Sequence, residues 1–324
     1  MPKVLIIGAT GYIGRSLALS LLRSGAHTVY GLARTPSKAS LLTSLEIIPI
    51  LGDFIDSAAY LAIIASAHID VVVDVSGVND GSYKILEDLK KVGSERLEAA
   101  QKAGVRTPKL GFVYTSGVWV HGSSMDAVSD LDPVGVGHAA TQPPQLVAWR
   151  PALEQAVIAA NDVLDTVVVR PGLVYGGPSA IWTSLFKPLF RATQSSAGIA
   201  EIAADEDSMP GLIHVEDAAS GIHAAVEKLP FISGTGVYPI FDLVSSTESM
   251  KVILESAAKA MGFKGKVEMI KPKDDLFAIA LNCSINSTSA RARTLLGWEP
   301  RRVGMVARME VYAKAWVESQ KTSN

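Results

Sequence analysis

The chain has a single cysteine, no strong excess of either charge and no long hydrophobic run. Cys283 is the only cysteine among 324 residues, which excludes an internal disulfide and a cysteine-based zinc site. The six histidines lack the close spacing of a His-Glu-x-x-His motif, so the sequence predicts no metal site. A net charge of −2 without a Lys/Arg stripe argues against a nucleic-acid partner. No segment reaches the ~20 apolar residues of a membrane helix, so we expect a soluble, cytoplasmic protein without membrane contacts.

Short apolar segments rich in Val and Ile alternate with helical stretches along the first half of the chain. Both faces of each segment are apolar, as in strands that are buried between two layers of helices. This alternation predicts βαβ units and therefore an α/β fold with a parallel sheet. The segments span residues 3–8, 27–34, 45–53, 70–77, 109–117 and 165–172.

The segment GATGYIG follows the first predicted strand directly and opens the first predicted helix. Glycines at this spacing allow a sharp turn, close approach of a pyrophosphate and packing of the helix on the strand. The free N–H groups at the start of the helix then face the anion. The alternative is a tight strand–helix turn without a ligand. The context favours a dinucleotide site formed by Gly8, Thr10, Gly11, Tyr12, Ile13 and Gly14.

The second and third predicted strands end in residues that bear on the choice of dinucleotide. At the end of the second strand, an Asp or Glu usually binds the 2′-hydroxyl of NAD(H), whereas an Arg usually binds the 2′-phosphate of NADP(H). This position is Arg34, which is followed by Lys38 and has no acid nearby. The sequence therefore favours NADP(H) over NAD(H), unless Arg34 is only a solvated loop charge. Asp53, next to Phe54, could bind an adenine amino group or could equally serve as a turn or helix-start residue.

Seven motifs in order resemble those of the extended and atypical short-chain dehydrogenase/reductases, specifically the NAD-dependent epimerase/dehydratase-like group. The motifs are GATGYIG, LGDF, VDVSG, FVYTSGVWVHG, VVVRPGLVYGG, IHVEDAA and LLGWEPR, and they extend over nearly the whole chain. The resemblance implies a Rossmann-type doubly wound parallel sheet with a smaller, mostly helical C-terminal substrate lobe. We expect residues 1–175 and 211–244 to form the dinucleotide domain, and 176–210 and 245–324 the lobe.

The resemblance also implies a nicotinamide cofactor, a small-molecule substrate in the cleft between the two parts, and a homodimer as in many family members. On the family pattern, further cofactor contacts come from the loops that follow the fourth, fifth and sixth predicted strands. The helix between the fifth and sixth strands contributes as well. The residues concerned are Val75, Ser76, Gly77, Thr115, Arg150, Pro171, Gly172 and Val174.

The family's usual catalytic residues are missing from this chain. Members carry a Ser or Thr after the fifth strand and then a Tyr with a Lys four residues later, where the phenol moves the proton and the Lys lowers its pKa. In the matching alignment Gly117 takes the hydroxyl position, Leu146 the Tyr position and Arg150 the Lys position. None of the eight tyrosines has a lysine four residues on, so the Tyr–Lys pair is absent under any alignment.

If hydride transfer occurs, another group must handle the proton. Ser116 lies one residue before the family's hydroxyl position, and His121 stands where the family often has Tyr. Because a histidine titrates near neutrality, His121 is the best donor by chemistry, although it could simply pack as that Tyr does. His138, in a Gly/Pro-rich loop, and Tyr175 are further candidates. Arg150 can still bind ribose hydroxyls, so the predicted catalytic set is Ser116, His121 and Arg150.

Three functions are compatible with these features. The first is an NADP(H)-dependent oxidoreductase of the carbonyl reductase or dehydrogenase type, acting on a small or medium-sized organic substrate. The second is a non-catalytic redox sensor or regulator that binds NADP(H), which the missing Tyr–Lys pair motivates. The third is an epimerase or lyase on the same scaffold. The complete cofactor scaffold favours the oxidoreductase, because a catalytic group can move while the nicotinamide pocket is kept.

Overall fold

Fourteen strands and ten α-helices make up the computed structural model, which describes residues 1–195 and 198–321. The strands are β1 (Lys3–Ile7), β2 (Thr28–Ala33), β3 (Ile48–Leu51), β4 (Val71–Asp74), β5 (Leu110–Thr115), β6 (Ser124–Val128), β7 (Leu164–Pro171), β8 (Leu173–Tyr175), β9 (Ile199–Ile202), β10 (Gly211–His214), β11 (Ile240–Leu243), β12 (Ser246–Thr247), β13 (Lys266–Met269) and β14 (Ile285–Ser287). The helices are α1 (Tyr12–Arg23), α2 (Pro36–Ser44), α3 (Ala58–Ser66), α4 (Asn79–Lys102), α5 (Arg150–Ala159), α6 (Thr183–Gln194), α7 (Val215–Ile232), α8 (Met250–Met261), α9 (Leu276–Leu281) and α10 (Met309–Lys321).

Seven strands form one parallel sheet in the order β11-β7-β5-β4-β1-β2-β3. The six segments predicted as strands supply β1 to β5 and β7, and β11 extends the sheet at one edge. The chain reverses its direction of strand addition between β1 and β4, which creates the crevice where such sheets bind ligands. The predicted α/β, Rossmann-type fold is confirmed.

The alternation of side chains along β1 shows why this sheet is covered on both faces. Val4 and Ile6 pack with residues of α1 and α7, whereas Leu5 and Ile7 pack with residues of α3, α4 and α5. Successive residues of a strand point to opposite faces, so a strand that is apolar throughout requires a helix layer on each side. This requirement converts the Val/Ile-rich segments of the sequence into the central layer of the fold.

A second hydrophobic core joins α6, α8 and α10 around Trp182, Phe186 and Trp316. Beside it, β8 and β10 form a three-stranded sheet with β12, while β9 pairs with β13 and β6 with β14. The division expected from the sequence therefore crosses two small sheets. β12 and β14 belong to the expected lobe, whereas their partners β10 and β6 belong to the expected dinucleotide domain. Residues 196, 197 and 322–324 of that lobe lie outside the described residues.

Across the described residues, no helix is both long enough and apolar enough to cross a membrane.

Candidate active site

A cleft of about 220 Å³ opens at the carboxyl ends of the central strands. Its walls come from α1, the loop after β4, the ends of β5 and β7 with the residues that follow them, β8, the first residue of α5 and the segment before α6. Most of the surface is apolar, with two hydroxyl groups and one guanidinium among the lining side chains. The lining residues are Ile13, Val75, Gly77, Thr115, Ser116, Gly117, Val118, Trp119, Arg150, Pro171, Gly172, Leu173, Val174 and Ile181.

The glycine loop beside this cleft has the shape of an anion cradle. Gly8 has a φ of +95°, and a Cβ on Gly14 would lie 2.1 Å from the carbonyl oxygen of Gly8, so neither position tolerates a side chain. Gly11 immediately precedes α1 and provides no side-chain cap, which leaves the first N–H groups of the helix free for a ligand. The Tyr12 hydroxyl donates to the carbonyl oxygen of Gly176, and burial raises the pKa of this phenol. Thr10 lies within the same turn.

Two cations stand at the end of β2, next to the glycine loop. Arg34 directly follows the strand and is exposed, and Lys38 lies in the first turn of α2, which Thr35 caps. In the part of the chain that the structure describes, neither side chain forms an ion pair with an acid. Both charges are therefore available to an anionic group at this edge of the sheet.

The loop after β3 gives Asp53 a structural role. Its Oδ1 accepts a hydrogen bond from the backbone N–H of Ile55 at 2.9 Å, which is the turn arrangement that the sequence left open as an alternative to adenine binding. Phe54 packs against Gly81 of α4, where a Cβ would come within 2.5 Å of the phenyl ring. Ser76, after β4, donates its hydroxyl hydrogen to Asp74 at 2.6 Å rather than to the cleft.

Three polar atoms in the cleft walls are buried and have no hydrogen-bond partner among the described residues. They are Oγ1 of Thr115, Oγ of Ser116 and Nε of Arg150. A buried polar group without a partner costs on the order of 1–3 kcal/mol, and native structures keep few of them. Their convergence on one cleft indicates a polar ligand that satisfies them.

Gly117 and Arg150, two departures from the family pattern, lie in contact. A Cβ built on Gly117 would be 3.1 Å from Nη1 of Arg150, so the guanidinium occupies the space beside the glycine. Arg150 also stacks over the ring of Trp149 at 5.4 Å. A side chain at position 117 would therefore crowd the guanidinium in its present position. Leu146, at the family's Tyr position, lies in a 3-10 turn (Gln145–Val147) and does not line the cleft.

Behind Arg150, a buried carboxyl group terminates β4. Asp74 is 1% exposed and accepts hydrogen bonds from Ser76 and from the Ser82 hydroxyl at 2.6 Å. Burial raises the pKa of Asp74, although these hydrogen bonds and the charge of Arg150 act in the opposite direction. The sequence carries a signal for this residue, because Asp74 is an acid within the otherwise apolar segment VVVDV.

His121 lies outside the cleft lining, in a buried ionic network. The residue is 6% exposed, and its Nε2 lies 2.7 Å from Oδ2 of Asp242. Burial acts to raise the pKa of Asp242, but the hydrogen bond and charge of His121, with Arg170 and Ser287, lower it overall. Arg170 in turn pairs with Glu154, with Nη2 and Oε2 2.5 Å apart. This position argues against His121 as the proton donor and agrees with its alternative role in packing.

The other two candidate donors also lie away from the cleft. Tyr175 is fully buried, and its hydroxyl donates to the carbonyl oxygen of Arg302 at 2.6 Å. His138 is exposed on the loop between β6 and α5. Of the predicted catalytic residues, the structure therefore brings Ser116 and Arg150 together in the cleft. It adds Trp119, Leu173 and Ile181 to the walls, and Ile181 belongs to no motif that could have marked it.

Residues 4–240 match the NAD dependent epimerase/dehydratase family. The chain belongs to this family. It is also similar to an isoflavone reductase homolog from Zea mays, with 30% identity over 122 residues, and to pinoresinol reductase 1 from Arabidopsis thaliana, with 28% over 149 residues. These segments are 34% and 41% of this chain and 38% and 46% of those proteins, so the match spans less than half of each relative.

Among solved structures, the fold is similar to that of dTDP-glucose 4,6-dehydratase from Bacillus anthracis, which was solved in complex with NAD. The TM-score is 0.70 with 14% sequence identity, and the alignment covers 99% of this chain and 98% of that one. At this identity the likeness concerns the fold alone.

The residues at the carboxyl ends of the parallel strands fit a nicotinamide dinucleotide, NAD(H) or NADP(H), which is the cofactor that membership of this family implies. From β2 to β7 the order is β2-β1-β4-β5-β7, four strand spacings of about 4.8 Å or roughly 19 Å in all. Along this line lie the two cations, the glycine cradle and the three unpartnered polar atoms. The cleft beside β5 and β7 could hold the nicotinamide end of such a cofactor, and the cations beside β2 could hold its adenosine end.

Proposed function

We propose that this protein is an NADP(H)-dependent oxidoreductase that interconverts a carbonyl and an alcohol on a small or medium-sized organic substrate. The observation that carries the proposal is the set of buried, unpartnered groups of Thr115, Ser116 and Arg150 in an otherwise apolar cleft. Arg34 and Lys38 supply the positive charge that a 2′-phosphate needs, which favours NADP(H) over NAD(H).

The bound cofactor would donate or accept a hydride at its nicotinamide ring. Arg150 would hold the ribose hydroxyls, since a guanidinium is a permanent donor that neither accepts nor releases protons at neutral pH. The hydroxyl of Ser116 would donate a hydrogen bond to the reacting oxygen and so hold it as negative charge develops. Because no carboxyl, imidazole or phenol lines the cleft within the described residues, we assign delivery of the proton to water.

The walls of the cleft favour a substrate with an apolar body. Trp119, Leu173 and Ile181 line the same space as Ser116. Apolar pockets with a few placed polar groups are typical of small-molecule sites. The similarity to two plant proteins that are named as a reductase and a reductase homolog supports reduction over epimerisation.

The test is consumption of NADPH with a panel of ketones, aldehydes and quinones, after binding has been measured by fluorescence. NADH runs in parallel. In Ser116→Ala we expect an unchanged Kd for NADPH and a kcat lower by about 10²–10³, as for loss of one oxyanion donor. Ser94→Ala, on α4 away from the cleft, is the matched control. An unchanged kcat in Ser116→Ala would remove this residue from the mechanism.

A second function, a non-catalytic NADP(H) sensor, is favoured by the absence of any Tyr–Lys pair. Tight NADPH binding without turnover of any substrate on the panel would support the sensor and count against the oxidoreductase. The affinity for NADPH is expected to be the same in both cases, so turnover is the measurement that separates them.

A further inference from the structure

Two histidines and a glutamate meet at the far end of α1 from the glycine loop. His27 lies just before β2, and His223 and Glu227 lie one turn apart on α7. One ligand atom from each, among Nδ1, Nε2 and the carboxylate oxygens, lies within 4.8 Å of the other two. The Nε2 of His223 is 3.2 Å from Oε1 of Glu227, and the two rings stand edge to face with centroids 5.2 Å apart.

Serine hydroxyls from α1 and its C-cap hold both rings by Nδ1. Nδ1 of His27 is 3.1 Å from Oγ of Ser24, and Nδ1 of His223 is 2.9 Å from Oγ of Ser20. Ser24 donates its single hydroxyl hydrogen to the carbonyl oxygen of Leu21, so towards His27 it can only accept. The proton of His27 is therefore on Nδ1, and the lone pair of Nε2 is free. Such outer hydrogen bonds set the tautomer and orientation of metal-binding histidines.

We propose that His27, His223 and Glu227 form a binding site for Zn²⁺ or a closely related divalent transition-metal ion. Two imidazoles and one carboxylate are the ligands of a common three-residue zinc site, in which water takes the fourth position. Zinc–ligand distances of 2.0–2.1 Å require ligand atoms about 3.4 Å apart in a tetrahedron, close to the 3.2 Å between His223 and Glu227. The other ligand atoms lie within 4.8 Å of one another, so side-chain rotation has to bring them closer by at most about 1.4 Å.

The exposure of the three residues suits an ion that enters from solvent. His27 is buried, with 6% of the residue exposed, whereas 48% of the Glu227 side chain is accessible to solvent. Because a carboxylate only accepts, Nε2 of His223 carries the proton in the metal-free arrangement. Metal binding at Nε2 moves that proton to Nδ1, where Oγ of Ser20 can accept it, so the ring keeps one proton and no proton release is required.

The site is separate from the cleft and does not depend on the proposed function. Ser20 lies eight residues beyond the start of α1, about 12 Å along the helix axis from the phosphate cradle. A bound ion would join the segment before β2 to α7, which already packs against α1. We therefore expect the metal to stabilise the fold rather than to take part in hydride transfer. The sequence predicts no metal at this place because His27 and His223 are far apart in the chain.

The test uses untagged protein stripped with a chelator. Calorimetric titration with Zn²⁺ is expected to show one ion bound per chain, and the bound ion is expected to raise Tm. Replacing Zn²⁺ by Co²⁺ should give the visible absorption bands of a tetrahedral site. Glu227→Gln keeps the size of a side chain that is half exposed, and we expect the Zn²⁺ affinity to fall by at least about tenfold, since loss of an outer-shell partner alone costs 10–100-fold.

Two further variants separate the site from incidental histidine binding. His223→Ala should abolish the Co²⁺ bands, while His138→Ala, an exposed histidine outside the cluster, should leave the affinity unchanged. Unfolding of each metal-free variant shows whether it is folded, and Glu227→Gln remains a test if His223→Ala is not. Absence of stoichiometric binding at micromolar Zn²⁺, or an affinity equal in Glu227→Gln and the parent, would overturn the proposal.

Discussion

Gly117 and Arg150 are expected to act as a coupled pair in cofactor binding. A serine at position 117, which is the residue type that the family usually has there, would place Cβ 3.1 Å from Nη1 of Arg150 and force the guanidinium to move. Because Nε of Arg150 is buried without a protein partner, movement removes it from the ligand without a compensating contact. Gly117→Ser should therefore weaken NADPH binding although it adds a hydroxyl that the family uses.

The size of the effect follows from the bond that is lost. A hydrogen bond to a charged group contributes about 1.5–3 kcal/mol. At 1.4 kcal/mol per factor of ten, the Kd for NADPH should rise by about 10–140-fold in Gly117→Ser. Arg150→Lys alone should also weaken binding, because a lysine lacks the planar fork that fills the space beside the glycine. In the double variant the smaller ammonium group of the lysine leaves room for the serine. The loss of NADPH binding free energy should therefore be smaller than the sum of the losses in the two single variants.

Fluorescence titration of NADPH against the parent, both single variants and the double variant gives the coupling energy directly. We expect a coupling of about 0.5–3 kcal/mol, the range for residues in contact. Gly137→Ser, at a position where a Cβ meets no atom within 4 Å, is the control and should bind NADPH like the parent. Losses that add to within about 0.3–0.5 kcal/mol would show that the two positions are independent and would refute the coupling.

Three further outcomes are expected. Arg34→Ala should raise the Kd for NADPH about tenfold or more but leave that for NADH unchanged, because only the 2′-phosphate needs the charge; equal losses for both would exclude the assigned role. Glu154→Gln should lower the free energy of unfolding by about 3–5 kcal/mol in urea titrations, since among the described residues it leaves Asp242, 3.6 Å away, as the remaining charge partner of the buried Arg170, and a loss below about 1 kcal/mol would contradict this. Burial, and then the charge of Arg302, lower the pKa of His214 to about 4, so the unfolded state binds the extra proton and stability should fall as the pH drops from about 6.5 towards 4. His214→Asn, which keeps an acceptor for the N–H of Glu216, should flatten this dependence, and an identical pH profile would count against His214 as its source.

The features that the sequence determined by itself depend on residues that are close in the chain. The Val/Ile-rich segments predicted β1 to β5 and β7 because a buried parallel strand needs apolar side chains on both faces. The glycine loop was readable because Gly8 and Gly14 meet across a single strand–helix turn. The missing Tyr–Lys pair was certain from the spacing alone. None of these conclusions depends on the order of the strands in the sheet.

The tertiary structure decided which distant residues share a site. The pairing of β7 with β11 sets Asp242 opposite Arg170, and the acid then binds His121, which chemistry alone had favoured as a proton donor. The contact between Gly117 and Arg150 and that between His27 and His223 likewise join segments whose local patterns carry no sign of each other. Short-range periodicity specifies which residues become strand or helix, but the neighbours of a buried polar group are set by strand order and helix packing.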